Sequence, residues 1–356
     1  MKSRHAASIA GVLMTLTRPS FPDTLQGAAN PIYKTSVVIT AATKRNEPVW
    51  SWAPRVKFNV QGPLPSGAQL SVEFMQPGAH PWVKYDCQTP AVAAGKVGNI
   101  ECGYTVPTER LKTITSTGVF SFKIAMRNEL AGSNDSLFEG RFTVKKFHSG
   151  PDLPSTRDNF EYYVDYDWQL PIAYVWCPVP YRSADGVAYF DDYTPLYTAF
   201  TFKGTVFAER DLDAHLFYQG REISNTKAHG HAVKDGGAFT GQASSPYDYP
   251  RVRLEFTDVF GFVKNPQAHP GYYLDQHPGE YEIKVLRAGH LARSFKFTVG
   301  SGGKIEDNGI AAANGILGPR MVVAAEVLGD TDGQFNRDEW RSEALFGNPL
   351  KGFAPR

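Results

Sequence analysis

Apolar and polar residues alternate with a period of two along this chain, and the alternating segments recur as matched pairs. Residues 54–62 (PRVKFNVQG) alternate, and after a Pro/Gly turn residues 69–74 (QLSVEF) alternate again. A period of two points successive side chains to opposite faces of an extended strand, so each segment has one face to bury. Residues 197–204 (YTAFTFKG) and 213–218 (DAHLFY) repeat this layout further along. The match is closest at the segment ends: 118–124 (GVFSFKI) against 279–285 (GEYEIKV), and 140–144 (GRFTV) against 294–299 (SFKFTV). Each pair reads as a closing hairpin. Short strands between turn signals predict two sheets packed face to face, twice over.

Composition points the same way. Of the residues, 13% are aromatic, and 33 Gly and 25 Pro break the chain every few positions, a pattern of strands and turns. At 356 residues the chain is long enough for two domains with extensions. Its 37 basic and 36 acidic side chains nearly cancel and are scattered, which argues against a nucleic-acid partner.

On these strand segments the chain resembles the immunoglobulin-like or fibronectin-III-like superfamily, over residues 33–147 and 160–300. The resemblance implies an all-β fold of two tandem immunoglobulin-like β-sandwich domains. The polar stretch 148–159 (HSGPDLPSTRDN), with two prolines, reads as a stiff linker between them. Antibody-type domains carry an inter-sheet disulfide, and here the second domain has one cysteine while the spacing of Cys87 and Cys102 is too short for that bridge.

The tail, 301–356, changes character. Residues 319–328 (PRMVVAAEVL) read as a helix with Pro in its first turn. Residues 336–346 (NRDEWRSEALF) read as a second, with Asn336 and Glu339 as a capping box and Gly347 as the stop. The expectation is a short C-terminal helical hairpin. At the other end, residues 1–29 read as a signal peptide: Lys2 and Arg4, a small-apolar run over 6–16, and Gly27-Ala28-Ala29 as a cleavage site. A cytoplasmic protein with a leader of no fixed structure is the alternative. No run approaches the roughly 20 apolar residues of a membrane helix. Cys87 and Cys102 lie next to strand-like residues, so a cross-strand disulfide is expected on export. Cys177 then has no partner and reads as a buried thiol.

Several residues could carry chemistry, each with a plainer reading beside it. With Gly333 at the turn position of a calcium loop, Asp330, Asp332 and Glu339 fall at the third, fifth and twelfth positions, but Leu328 holds the first, where a carboxylate is normal. No cofactor is expected, with calcium at this loop as the alternative, and a plain capped helical hairpin accounts for the same residues. His229 and His231, with Asp235 nearby, offer part of a zinc or copper site or simply loop histidines. Tyr247, Tyr249, Tyr272 and Tyr273 offer a ligand-contact surface if they lie on loops. The paired acids Asp165/Asp167 and Asp191/Asp192 read as solvated, and the sequence holds no nucleophile elbow, zinc-protease helix or phosphate loop.

These readings favour a non-enzymatic exported structural or protein-interaction protein, secreted, periplasmic or at the cell surface. Its expected partner is another protein or a cell-surface assembly. A carbohydrate-binding module taking a glycan, and a metal-dependent hydrolase built on His229 and His231, are the alternatives.

Overall fold

The computed structural model describes residues 30–46, 49–149, 157–177, 181–182, 188–189, 193–204, 211–238, 247–263, 265–316, 320–329, 335–341 and 350–355. The expected signal peptide lies outside them.

The chain is all-β, as expected. Its first body has eight strands: β1 (Ile32–Asn46), β2 (Val49–Gln61), β3 (Ala68–Gln76), β4 (His80–Asp86), β5 (Val97–Cys102), β6 (Gly118–Asn128), β7 (Ser133–His148) and β8 (Phe160–Asp165). They form two sheets, ordered β1-β2-β5 and β4-β3-β6-β7-β8. The alternation read from the sequence sorts them: Leu70, Val72 and Phe74 of β3 and Phe120, Phe122 and Ile124 of β6 are buried while their neighbours are not. The sheets face each other across Trp52 of β2, whose ring meets Trp82 of β4 and Phe120 of β6 edge-on at 5.1 and 4.9 Å. Edge-on geometry sets a positive ring edge against a negative face, which adds to the burial of three large side chains.

Two face-to-face sheets leave their edges to be joined by other means. On one side Gln88 bridges to Glu101 and the expected Cys87–Cys102 disulfide is present, with its Cα atoms 4.4 Å apart. Cys87 follows β4 and Cys102 ends β5, so this short-spaced bridge does join the two sheets. A spacing of fifteen residues suffices because the chain crosses between sheets at their edge rather than through their centres. On the other side the Tyr162 amide donates to Thr43 Oγ1, and the Tyr166 hydroxyl accepts from the Ile39 amide and donates to the Ile39 carbonyl. Strand β8 follows the segment read as a linker, yet it pairs with β7 from Thr143↔Asp165 to His148↔Phe160 and completes the first body.

The remaining elements are β9 (Ile172–Trp176), the small hairpin β10 (Tyr181–Arg182) and β11 (Ala188–Tyr189), β12 (Tyr193–Thr201), β13 (Leu212–Tyr218), β14 (Arg221–Asn225), α1 (Thr226–His229), β15 (Gly230–Ala238), β16 (Pro250–Val263), β17 (Tyr272–Tyr273), β18 (Gly279–Arg287), β19 (His290–Val299), α2 (Ile310–Ala313) and β20 (Met321–Val327). This region is not a second sandwich of two facing sheets. Nine strands run in one sheet, ordered β14-β13-β18-β19-β20-β9-β12-β16-β15, with β17 parallel to β16. The sheet nearly closes into a barrel, because its end strands β14 and β15 are joined by the single turn of α1. Ser224 Oγ of β14 also donates to Asp258 Oδ1 of β16 at 2.5 Å. Closure covers edges that an open sheet would expose.

The expected helical hairpin is absent. Residues 321–327 (MVVAAEV) form β20, hydrogen-bonded between β19 and β9. The reason is visible in its neighbours. Ala173 and Val175 of β9, Leu196 and Phe200 of β12, and Val323 and Ala325 of β20 fill the barrel interior. Tyr174 and Trp176, Tyr197 and Ala199, and Val322 and Ala324 point the other way, into a core shared with the first body. A strand buried on both faces loses its period-two signature and reads as a continuous apolar run. Within 336–346, the expected second helix, the described part is one 3-10 turn, Glu339–Arg341. The capping differs from the box expected: Asn336 Oδ1 accepts from the Asp338 amide at 3.1 Å rather than from that of Glu339, and the Asn336 amide donates to Asp167 Oδ2.

Candidate functional site: a buried ionic cluster

Where the chain leaves β8 for β9 it carries two aspartates within an aromatic run, Tyr162-Tyr163-Val164-Asp165-Tyr166-Asp167-Trp168. The sequence reading put Asp165 and Asp167 in solvent, and the structure corrects it: both are buried, because this corner lies between the shared core and the C-terminal segment. Burying a carboxylate costs several kcal/mol unless donors and countercharges replace water. Here they do. Asp165 Oδ1 accepts from the Tyr249 hydroxyl at 2.7 Å and the Asp167 amide at 3.0 Å, and Oδ2 is in direct contact with Lys145 Nζ of β7. Asp167 Oδ1 meets Lys203 Nζ at 2.7 Å and the Tyr249 hydroxyl at 2.8 Å, and Oδ2 accepts from the Asn336 amide at 2.7 Å. Glu339, also buried, completes a trio of carboxylates with oxygens within 4.8 Å of one another.

The two aspartates differ in acidity. Burial pushes Asp165 upward, but hydrogen bonds from Lys145 and Tyr249 outweigh it and leave its carboxyl below the ordinary value. Burial and the neighbouring Asp165 charge push Asp167 up, and Lys203 and the Asn336 amide offset this only in part. Burial works against the Lys145 charge, yet the hydrogen bond and charge of Asp165 hold it above its usual range. Tyr249 is pushed well up by burial and then by both aspartates, so it stays a neutral donor. Among the described residues the cluster brings together three carboxylates and two ammonium groups.

Three carboxylates are a donor set suited to a hard cation. In this arrangement, however, all four aspartate oxygens already meet an ammonium, a hydroxyl or an amide, so a metal ion would have to displace Lys145 or Lys203. The cluster is an ionic junction tying β7, the β8–β9 corner, the ends of β12 and β16, and the tail together.

The residues named from the sequence are scattered by comparison. Glu339 belongs to the cluster, whereas Asp330 and Asp332, its expected companions in a calcium loop, lie outside the described residues, as do Asp191 and Asp192. His229 ends α1 and His231 lies in β15 opposite Glu255, with their side chains outside the described residues. Tyr249 is fully buried in the cluster and offers no ligand-contact surface. Tyr247 is half-buried and stacks on Tyr163 at 4.5 Å with Phe147 alongside at 4.7 Å. Tyr272 is also half-buried, stacked on His277 at 4.3 Å, and the Tyr273 hydroxyl donates to the His269 carbonyl at 2.6 Å. Burial pushes the Cys177 thiol up to about 12, so it is no ready nucleophile.

Lys145 and Lys203 were not singled out from the sequence. The available signal was a pair of charges inside an apolar run, which requires partners from elsewhere in the chain. The chain matches no known family model, and no curated protein shows detectable sequence similarity to it.

Proposed function

We propose that this chain is a non-enzymatic, extracytoplasmic structural or protein-interaction protein that presents loops from a rigid two-part β body. The observation that carries this reading is the shared core. Strands β9 and β12 are buried on both faces, and β20 is so at Val322 and Val323, one face lining the barrel and the other packed with the first body, so the two parts resist bending against each other. The Cys87–Cys102 disulfide supports a place outside the reducing cytoplasm. Among the described residues no helix is long and apolar enough to cross a membrane. We read the first body as immunoglobulin-like on its layout of three strands facing five.

Thiol trapping in the source cells tests the location: Cys87 and Cys102 should resist alkylation until reduced, in protein recovered outside the cytoplasm. Photo-cross-linking from Leu130, which is 80% exposed at the β6–β7 turn, tests the presentation of loops and should give one discrete product. Cytoplasmic protein with both thiols alkylated would sink the reading.

A glycan-binding reading is favoured by one feature, the half-buried Tyr247 stacked in line with Tyr163 and Phe147. It requires that Tyr247→Ala abolish retention on a glycan array.

A further inference from the structure

The Lys145–Asp165 contact has the parts of an amide-forming site. The amine nitrogen touches one carboxylate oxygen, Oδ2. The other oxygen, Oδ1, faces the Asp167 amide at 3.0 Å and the Tyr249 hydroxyl at 2.7 Å, whose one hydrogen it shares with Asp167 Oδ1, and both donors lie where a negative oxygen would form if nitrogen attacked Cγ. Paired donors on a developing oxyanion are the main means by which proteins lower the barrier to acyl transfer. Glu339 brings a further carboxylate oxygen within 4.8 Å of those of Asp165 and Asp167 and acts on the Lys145 charge. The Asp165 side chain is 0% exposed and that of Lys145 44%, so the lysine stem runs along the surface and its amine reaches a carboxylate closed to water.

We propose that Lys145 and Asp165 join in an intramolecular amide bond, a covalent cross-link between β7 and β8. Glu339 first takes one proton from the Lys145 ammonium, and the freed nitrogen lone pair attacks Asp165 Cγ, so that the carbon–nitrogen bond forms and charge gathers on Oδ1 under its donors. Glu339 passes that proton to Oδ2 and carries a second from the nitrogen to the same oxygen, the carbon–Oδ2 bond breaks, and Oδ2 leaves as water. An ammonium and a carboxylate thus become one amide and one water, with no external reactant and no net change of charge. Two effects favour the step. Fixed contact replaces a bimolecular encounter, for which effective molarities reach about 10⁵ M or more. The neutral amide also removes a buried ion pair whose desolvation the fold otherwise has to offset. The neighbouring pair Lys203–Asp167 serves as an internal contrast: the oxygen touched by the amine is the one that also faces Tyr249, and the remaining oxygen has a single amide donor.

Intact-mass spectrometry of the purified, reduced chain tests this directly. Relative to the mass calculated for its own N-terminus, the protein should be lighter by one water. Trypsin should fail to cleave after Lys145 and should release a branched peptide joining that residue to Asp165. Lys145→Arg and Asp165→Ala should each restore the full mass, and Glu339→Gln, which keeps both reactants, should be found largely at full mass. Wild-type protein at full mass with normal cleavage after Lys145 overturns the proposal. So does a water loss confined to Asp165 with Lys145 still cleavable, the pattern of a cyclic imide. A Glu339→Gln protein linked as completely as wild type overturns the proton-transfer role of Glu339. The wild-type measurement needs no variant to fold, and the link does not depend on the function proposed above.

Discussion

The two β bodies solve one problem in different ways. The barrel nearly closes its sheet on itself, so strand pairing disposes of most edges and its interior is packed with aliphatic and aromatic side chains. The first body stacks two open sheets, and their edges are tied by a disulfide on one side and by Tyr162 and Tyr166 on the other. The difference shows where a sheet protein needs staples. A closed sheet is held by its own ladder, while facing sheets need side-chain or covalent ties at each open edge. The ionic cluster sits where the chain passes from one arrangement to the other.

Four measurements would break or sharpen this contrast. The largest effect is expected from Ala325→Asp, which places an unpaired charge inside the barrel; a loss of more than about 4 kcal/mol should appear in urea unfolding. Hydrogen exchange should report it first in β9, β19 and β20. Trp52→Ala empties the contact between the first body's sheets and frees the Ser116 carbonyl, for about 3–5 kcal/mol, with exchange rising first in β2, β4 and β6. If either variant loosened both bodies equally, the shared core rather than the separate closures would set stability.

Reducing Cys87–Cys102 should cost about 3 kcal/mol on the chain-entropy view of a loop of this size, again confined to the first body. Loss of protection in the barrel at the same reductant concentration would contradict the assignment. The smallest effect concerns the barrel surface. The hydrogen bond to His215 holds the Glu222 carboxyl below its ordinary 4.5 against a small opposing push from burial. A depressed carboxyl contributes stability that is present above pH 4.5 and lost as pH falls through the folded value. His215→Ala should therefore flatten the acid limb by about 0.5 kcal/mol at most, and less in high salt.

The legible parts of the fold were those with one buried face. Strands β3, β6 and β18 carry clean alternation, and the structure pairs Gly118 with Val144 and Gly279 with Val299 in the hairpins those patterns outline. Cys87 and Cys102 were legible as a pair because strand residues flank both. The tail was misread because Met321–Val327 is apolar on both faces apart from Glu326, and a continuous apolar run leaves helix and strand alike in sequence. At the candidate site, Asp165 and Asp167 stood out as adjacent acids and Glu339 as a carboxylate after a turn, but nothing local linked them.

The sequence by itself determined strand periodicity, turn positions, the cysteine pair and the near balance of charge, since each is a property of neighbouring residues. Only the tertiary structure decided that the second set of strands closes into a barrel, that β20 completes it, and that Lys145, Lys203, Tyr249 and Glu339 converge on two buried aspartates. Sheet order and charge pairing depend on which distant segments meet. A local pattern states that a face must be buried or a charge must be paired, and leaves the partner to the packing of the whole chain.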